Sequence, residues 1–126
     1  VYANNGTIQT SDKKEKHDIS ALDVKLSKDF IMKLNPVRYK MNTEKTEKYH
    51  YGLIAQDVEQ AMLDLNLSEN DFAGLYKTKS ETETNQFTYG LIYSEFIAPI
   101  IKTIQSQEYE INELKKEIED LKKTII

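Results

Sequence analysis

Between Ile97 and Ile126 isoleucine returns every seven residues, at positions 97, 104, 111, 118 and 125. Ile100, Gln107, Leu114 and Leu121 stand between these isoleucines as a second row. Lettered as a heptad, the first row is a and the second is d. A 3.5-residue repeat sustained this long specifies a coiled coil rather than a solitary amphipathic helix. At 1.5 Å per residue the rod would be roughly 45 Å long. Glu110 and Glu117 fall at g, Lys115 and Lys122 at the following e. In a parallel bundle g faces the next e of the neighbouring chain, so both pairs attract. A lone helix cannot bury such a seam, so the chain is expected to form a parallel homo-oligomer. Its seam would run through Ile104, Gln107, Ile111, Leu114, Ile118, Leu121 and Ile125. Isoleucine at a with leucine at d favours two strands, and Gln107 either fixes the register or marks where the seam loosens. Above Gln107 the stripe widens to Phe96, Ile97, Ile100, Ile101 and Ile104, which predicts that this end also packs against a globular head.

A chain of 126 residues that spends its last quarter on a rod leaves a head of about 90 residues, enough for one small core. The formal net charge of −4 and the lack of a basic stripe interleaved with aromatics argue against nucleic acid as a partner. No apolar run reaches membrane-spanning length and no signal peptide is visible, so no membrane partner is expected. The chain has no cysteine, which excludes disulfides.

Taken in order, residues 1–10 suggest two extended pieces around the turn signal Asn4-Asn5-Gly6, the end of something larger upstream. The polar run 11–18, SDKKEKHD, reads as an exposed loop. Ser27 is the expected cap of a helix carrying Phe30, Ile31 and Leu34, ended by Asn35-Pro36. Alternation predicts a strand over 37–41, and a second apolar, β-favouring stretch spans 49–55, with Gly52 marking a bulge or a close approach. A helix is predicted from Gln56 with Val58, Met62 and Leu65 on one face, then a turn opened by Ser68. Leu75 to Tyr93 suggests a two-stranded arm around the wholly polar tip 77–86, and Ser94 is the expected cap of the long helix.

Chemistry is sparse. His17 and His50 are far apart and have no cysteine beside them, so no metal and no cofactor are expected. Phosphate-cradling and nucleophile-elbow motifs are absent. His17 beside Asp18 is a weak base-and-orienter pair. Ser11 and Lys16, five residues apart, would be unremarkable alone. Their company is not: SDKKEKHDI (11–19) is followed by LNPVRYKM (34–41), GLIAQDVE (52–59) and YGLIYSEF (89–96), which runs into the heptads. These blocks, in this order, resemble the C-terminal intramolecular chaperone domains of phage tail spikes and fibres, the self-cleaving family typified by endosialidase spikes. Related domains occur in neck-appendage spikes and in a membrane-bound myelin transcription factor. A neck-appendage or tail-spike protein is the expected parent.

The resemblance implies a homotrimer, with arms that clasp a β-structured shaft. It further implies a serine–lysine dyad, which lands on Ser11 and Lys16. The expected fold is α+β: a small mixed head with a hairpin arm at 11–93 and a coiled-coil helix at 94–126, after residues 1–10 of an upstream shaft. The expected function is to trimerise and register a spike protein and assist its shaft to fold, in the host cytoplasm during virion assembly. Self-cleavage would follow at Thr10–Ser11, or at Ser11–Asp12 if the serine acts across chains. The dyad spacing is not a same-face helical one, so the segment is expected to fold back as a loop once trimer and shaft are in place. Partners would be the chain itself and its own upstream shaft. Two competitors are a permanent, uncleaved structural or receptor-binding tip and a coiled-coil adaptor.

Overall fold

The computed structural model describes residues 2–3 and 6–125, with side-chain surroundings from residue 8 onward. Strands β1 (Tyr2–Ala3) and β2 (Gly6–Thr7) pair antiparallel, Tyr2 opposite Thr7. The Asn4-Asn5 part of the predicted turn lies outside the described residues.

Helix α1 (Val24–Lys33) begins before the expected start. Its cap is Asp23, whose carboxylate accepts from the Leu26 N–H at 2.8 Å, and Ser27 lies buried one turn in. Aspartate and serine cap about equally well; the earlier cap adds a turn to the helix and leaves Phe30 on its inward face. Leu34 is extended and closes the helix before Asn35-Pro36, as the proline ring demands of the residues ahead of it.

Strands β3 (Val37–Tyr39) and β4 (His50–Gly52) pair antiparallel with Arg38 opposite Tyr51. Both are shorter than expected, because the charged loop between them leaves the ladder early and Ala55 already belongs to α2 (Ala55–Asp64). Gly52 is a close-approach site: a Cβ there would run into the Tyr93 side chain. That tyrosine hydroxyl accepts from the Leu53 N–H at 3.1 Å and donates to the Leu53 carbonyl at 3.3 Å. In α2, Val58, Ala61 and Met62 are buried at the i, i+3, i+4 spacing of one helical face. The turn opened by Ser68 is held by Asp71, whose carboxylate accepts from the Ser68 N–H at 2.7 Å and its hydroxyl at 3.0 Å.

Strands β5 (Leu75–Lys79) and β6 (Phe87–Leu91) form the arm, Leu75 opposite Leu91 and Lys79 opposite Phe87. A 3-10 turn, Tyr93–Phe96, precedes helix α3 (Ile97–Thr124). Ser94 lies within that turn and caps nothing; no side chain caps α3. Pro99 is the third residue of α3, where a helix has no use for an N–H. The Thr103 hydroxyl donates to the Pro99 carbonyl at 2.8 Å.

Among the described residues the strands form three separate ladders of two, so the helices must supply the core. Phe30, Val58, Ala61, Met62 and Phe96 are buried, with Phe72 and several leucines packed around them. The Phe72 ring meets Phe30 and Phe96 edge-on, each at 5.0 Å between centroids. Such pairs add roughly 0.5–1.5 kcal/mol beyond burial, so they help offset the small size of the core. Helix α1 lies along α3, where Lys28 Nζ reaches Glu110 Oε1 at 2.6 Å. The head meets α3 through Phe96, Pro99 and Thr103 rather than through the whole widened stripe. Ile97, Ile101 and Ile104 stay 56%, 50% and 59% exposed.

Candidate functional site

Residues 12–16 fold back on themselves, and the cause is local. The Asp12 carboxylate accepts from the Lys14 N–H at 2.9 Å, capping a 3-10 turn, Lys13–Glu15. The Glu15 N–H donates to the Asp12 carbonyl at 3.0 Å and the Lys16 N–H to the Lys13 carbonyl at 3.2 Å. The turn returns the chain so that Lys16 Nζ lies 2.6 Å from Ser11 Oγ. A single chain therefore holds the pair in hydrogen-bond reach. Both residues are exposed in it. A lysine next to a serine hydroxyl can take up its proton once the amine is neutral, and burial is what drives an amine to that state.

His17 and Asp18 face each other at 3.3 Å, with side chains 92% and 95% exposed. Among the hydrogen bonds of the described residues none links either to Ser11 or Lys16. Asp12 was missed as the residue that shapes the loop. Its signal was available: an aspartate two residues before an N–H that needs a partner is a capping pattern.

The arm is anchored at its root. Glu59 on α2 accepts from Lys77 Nζ at 2.7 Å and from the Tyr89 hydroxyl at 3.2 Å. Lys77 also lies 4.3 Å from the Phe87 ring centroid. The hydrogen bond to the Glu59 carboxylate holds the Lys77 ammonium above its ordinary range, against the opposing effect of burial. At the tip Ser80 Oγ accepts from the Thr82 and Glu83 N–H groups, and the Ser80 N–H donates to the Gln86 carbonyl at 2.8 Å. Asn85 takes the left-handed conformation, φ 64°, that asparagine tolerates. The seam is bare in the single chain: Ile104, Ile111, Leu114, Ile118, Leu121 and Ile125 are all exposed, as is Gln107.

Comparison with known proteins bears on the same segment. Residues 11–67 match the family model described as the chaperone of endosialidase, which is named as a peptidase family. No curated protein matches the chain. A solved structure described as a novel intramolecular chaperone aligns with a TM-score of 0.60 at 22% identity, over 79% of this chain and 99% of that one. The carboxy-terminal domain of the bacteriophage T5 L-shaped tail fibre, solved with its intramolecular chaperone domain, aligns with a TM-score of 0.62 at 18% identity. That alignment covers 92% of this chain and 34% of the fibre chain. At such identities the likeness is one of fold.

Proposed function

Because residues 11–67 match the family model described as the chaperone of endosialidase, we propose that the chain is a C-terminal intramolecular chaperone of a phage tail-spike or fibre protein. It trimerises through α3, registers three chains, assists an upstream β-shaft to fold, and is then released by autoproteolysis. Its partners are two further copies of itself and its own upstream shaft, met in the host cytoplasm during assembly. The physical need is plain. A triple-stranded β-shaft is built from non-local contacts between chains, so its nucleation is slow and its strand edges invite aggregation. A coiled coil raises the local concentration of the other chains to roughly millimolar and aligns them. Once the shaft is interlocked, removing the chaperone makes unfolding kinetically irreversible.

The observation that carries the self-cleavage is the 2.6 Å contact between Lys16 Nζ and Ser11 Oγ inside the family-matched segment. With neutral Lys16 as base, the Ser11 hydroxyl proton passes to Nζ while Oγ attacks the Thr10 carbonyl carbon through a five-membered ring. The Thr10–Ser11 C–N bond then breaks, the proton returns to the Ser11 nitrogen, and Thr10 is left as an ester on Oγ. Water hydrolyses that ester, freeing a Thr10 carboxylate and a chain that starts with Ser11. Because both side chains are exposed in the single chain, covering by the assembled trimer and shaft is what would neutralise Lys16. Cleavage thereby reports assembly. In the full-length parent, Ser11→Ala and Lys16→Ala each stop processing without disturbing trimerisation, whereas His17→Ala does not, as read by fragment mass. Two wild-type fragments appearing at the wild-type rate from Lys16→Ala would sink the dyad.

A further inference from the structure

Where the head meets α3 it leaves an open apolar groove of about 620 Å3, whose lining includes Ile31, Leu34, Phe96 and Ile100. In heptad letters Phe96, the residue just ahead of α3, and Thr103, Glu110 and Glu117 within it fall at g. The groove therefore lies on the g flank, the flank that α1 also covers down to the Lys28–Glu110 ion pair. The opposite, e flank carries Ile101, Glu108, Lys115 and Lys122. Ile101 is 50% exposed, an isoleucine left in solvent beside the seam rather than in it.

We propose that the groove receives the first turns of α3 from a second copy of the chain, anchored by the partner's Ile101. This rests on the parallel assembly proposed above and names its second interface. In a parallel coiled coil each g residue faces the e residue five positions later on its neighbour. That rule brings Phe96 to the partner's Ile101, Thr103 to the partner's Glu108, Glu110 to the partner's Lys115 and Glu117 to the partner's Lys122. The chemistry matches at three of the four levels, apolar with apolar at the first and acid with base at the last two, while Thr103 is buried with its hydroxyl donating to the Pro99 carbonyl. An antiparallel pairing would set g against g, and so Glu110 and Glu117 among like charges. Phe96 is itself 4% exposed, so its ring is the floor of the groove and not the group that enters it. Ile31, Leu34 and Ile100 form the walls. The groove is also continuous with the seam, because Ile100 is both a groove wall and a d residue. Each head thus rests on its neighbour's helix, and the head is completed only by assembly.

The chain has no cysteine, which makes a cross-linking test clean. Full chains carrying only Leu34→Cys are refolded together with chains carrying only Ile101→Cys, then treated with a short bis-maleimide. Chains carrying only Ile111→Cys, at the seam, serve as the control for parallel assembly. The proposal expects a covalent dimer in both samples. Linkage at the seam without linkage between the mixed chains overturns the groove interface and leaves the assembly standing; no linkage in either overturns both. Should Leu34→Cys fail to fold, Ile101→Gln decides instead. At a seated position it lowers the Tm of the assembly by several degrees, and an unchanged Tm overturns the proposal.

Discussion

On an ideal helix residues five apart point about 140° away from each other, so a helical segment would keep Ser11 and Lys16 apart. The contact depends on a bend, and Asp12 makes it by capping the 3-10 turn. Losing a cap costs typically about 1 kcal/mol, which is roughly fivefold in the population of the bent loop. Asp12→Ala should therefore slow cleavage of the full-length parent by about that factor, while Asp12→Asn, an equally good cap, keeps the rate. Equal slowing in both variants on a cleavage time course would mean that the charge of Asp12 matters and not its cap. Ser11 and Lys16 stand out only through the order of four sequence blocks, and their side chains do meet, at 2.6 Å. The fold-back follows from a spacing that no helix face can satisfy. Its cause, the Asp12 cap, is a two-residue pattern inside a polar run with no apolar anchor to mark where a turn begins. Ser27 shows the same difficulty from the other side: two acceptable caps lay four residues apart. The buried position of Ser27 decides between them only once the fold is known.

At the scale of elements, α2, α3 and the arm were legible because each has a period or a boundary of its own. Strand ends were less so, since Met41 and Tyr49 satisfy the alternation yet lie where the charged loop has already left the ladder. The root of the arm could not be read at all: Glu59 and Lys77 are joined only by the packing of α2 against the hairpin. This junction gives the arm a pH signature. Lys77 titrates above its ordinary range, so its bond to Glu59 stabilises fully below the unfolded lysine value near 10.4 and is lost as pH rises through the folded one. The Tm difference between wild type and Glu59→Gln should be constant at neutral pH and shrink in strong alkali. A difference that does not change with pH would show that the pair contributes nothing. The tip has a separate role in the proposed function. Replacing residues 78–86 by a two-residue turn should leave the head trimeric and lower the yield of folded parent, because the shortened arm cannot clasp the shaft. Unchanged yield in a refolding assay would rule the clasp out.

At the scale of the whole molecule, the chain exposes more surface than a compact monomer of its mass. A compact monomer of 14.6 kDa would expose about 6,900 Å2. This chain exposes 10918 Å2, an excess of about 4,000 Å2 over that expectation. A standard stable interface takes about 800 Å2 from each partner, so the excess is large enough to accommodate the assembly proposed above. On α3 the seam residues Ile104, Ile111, Leu114, Ile118, Leu121 and Ile125 are all exposed. The strand number is harder to obtain from residues, because isoleucine at a and leucine at d favour two strands while the proposed function takes three. Helix α1 occupies one side of α3, so the flanks of the seam are not alike. Ile111→Asp with Ile118→Asp tests the seam away from the head, since both positions lie beyond the Lys28–Glu110 contact that ends the head's hold on the helix. Three aspartates facing one axis at each level place like charges in a desolvated site, costing several kcal/mol per trimer. Light scattering should then give the monomer mass, and the parent's shaft should fold in lower yield. A doubly substituted chain that remains trimeric would move the assembly energy from the rod to the heads.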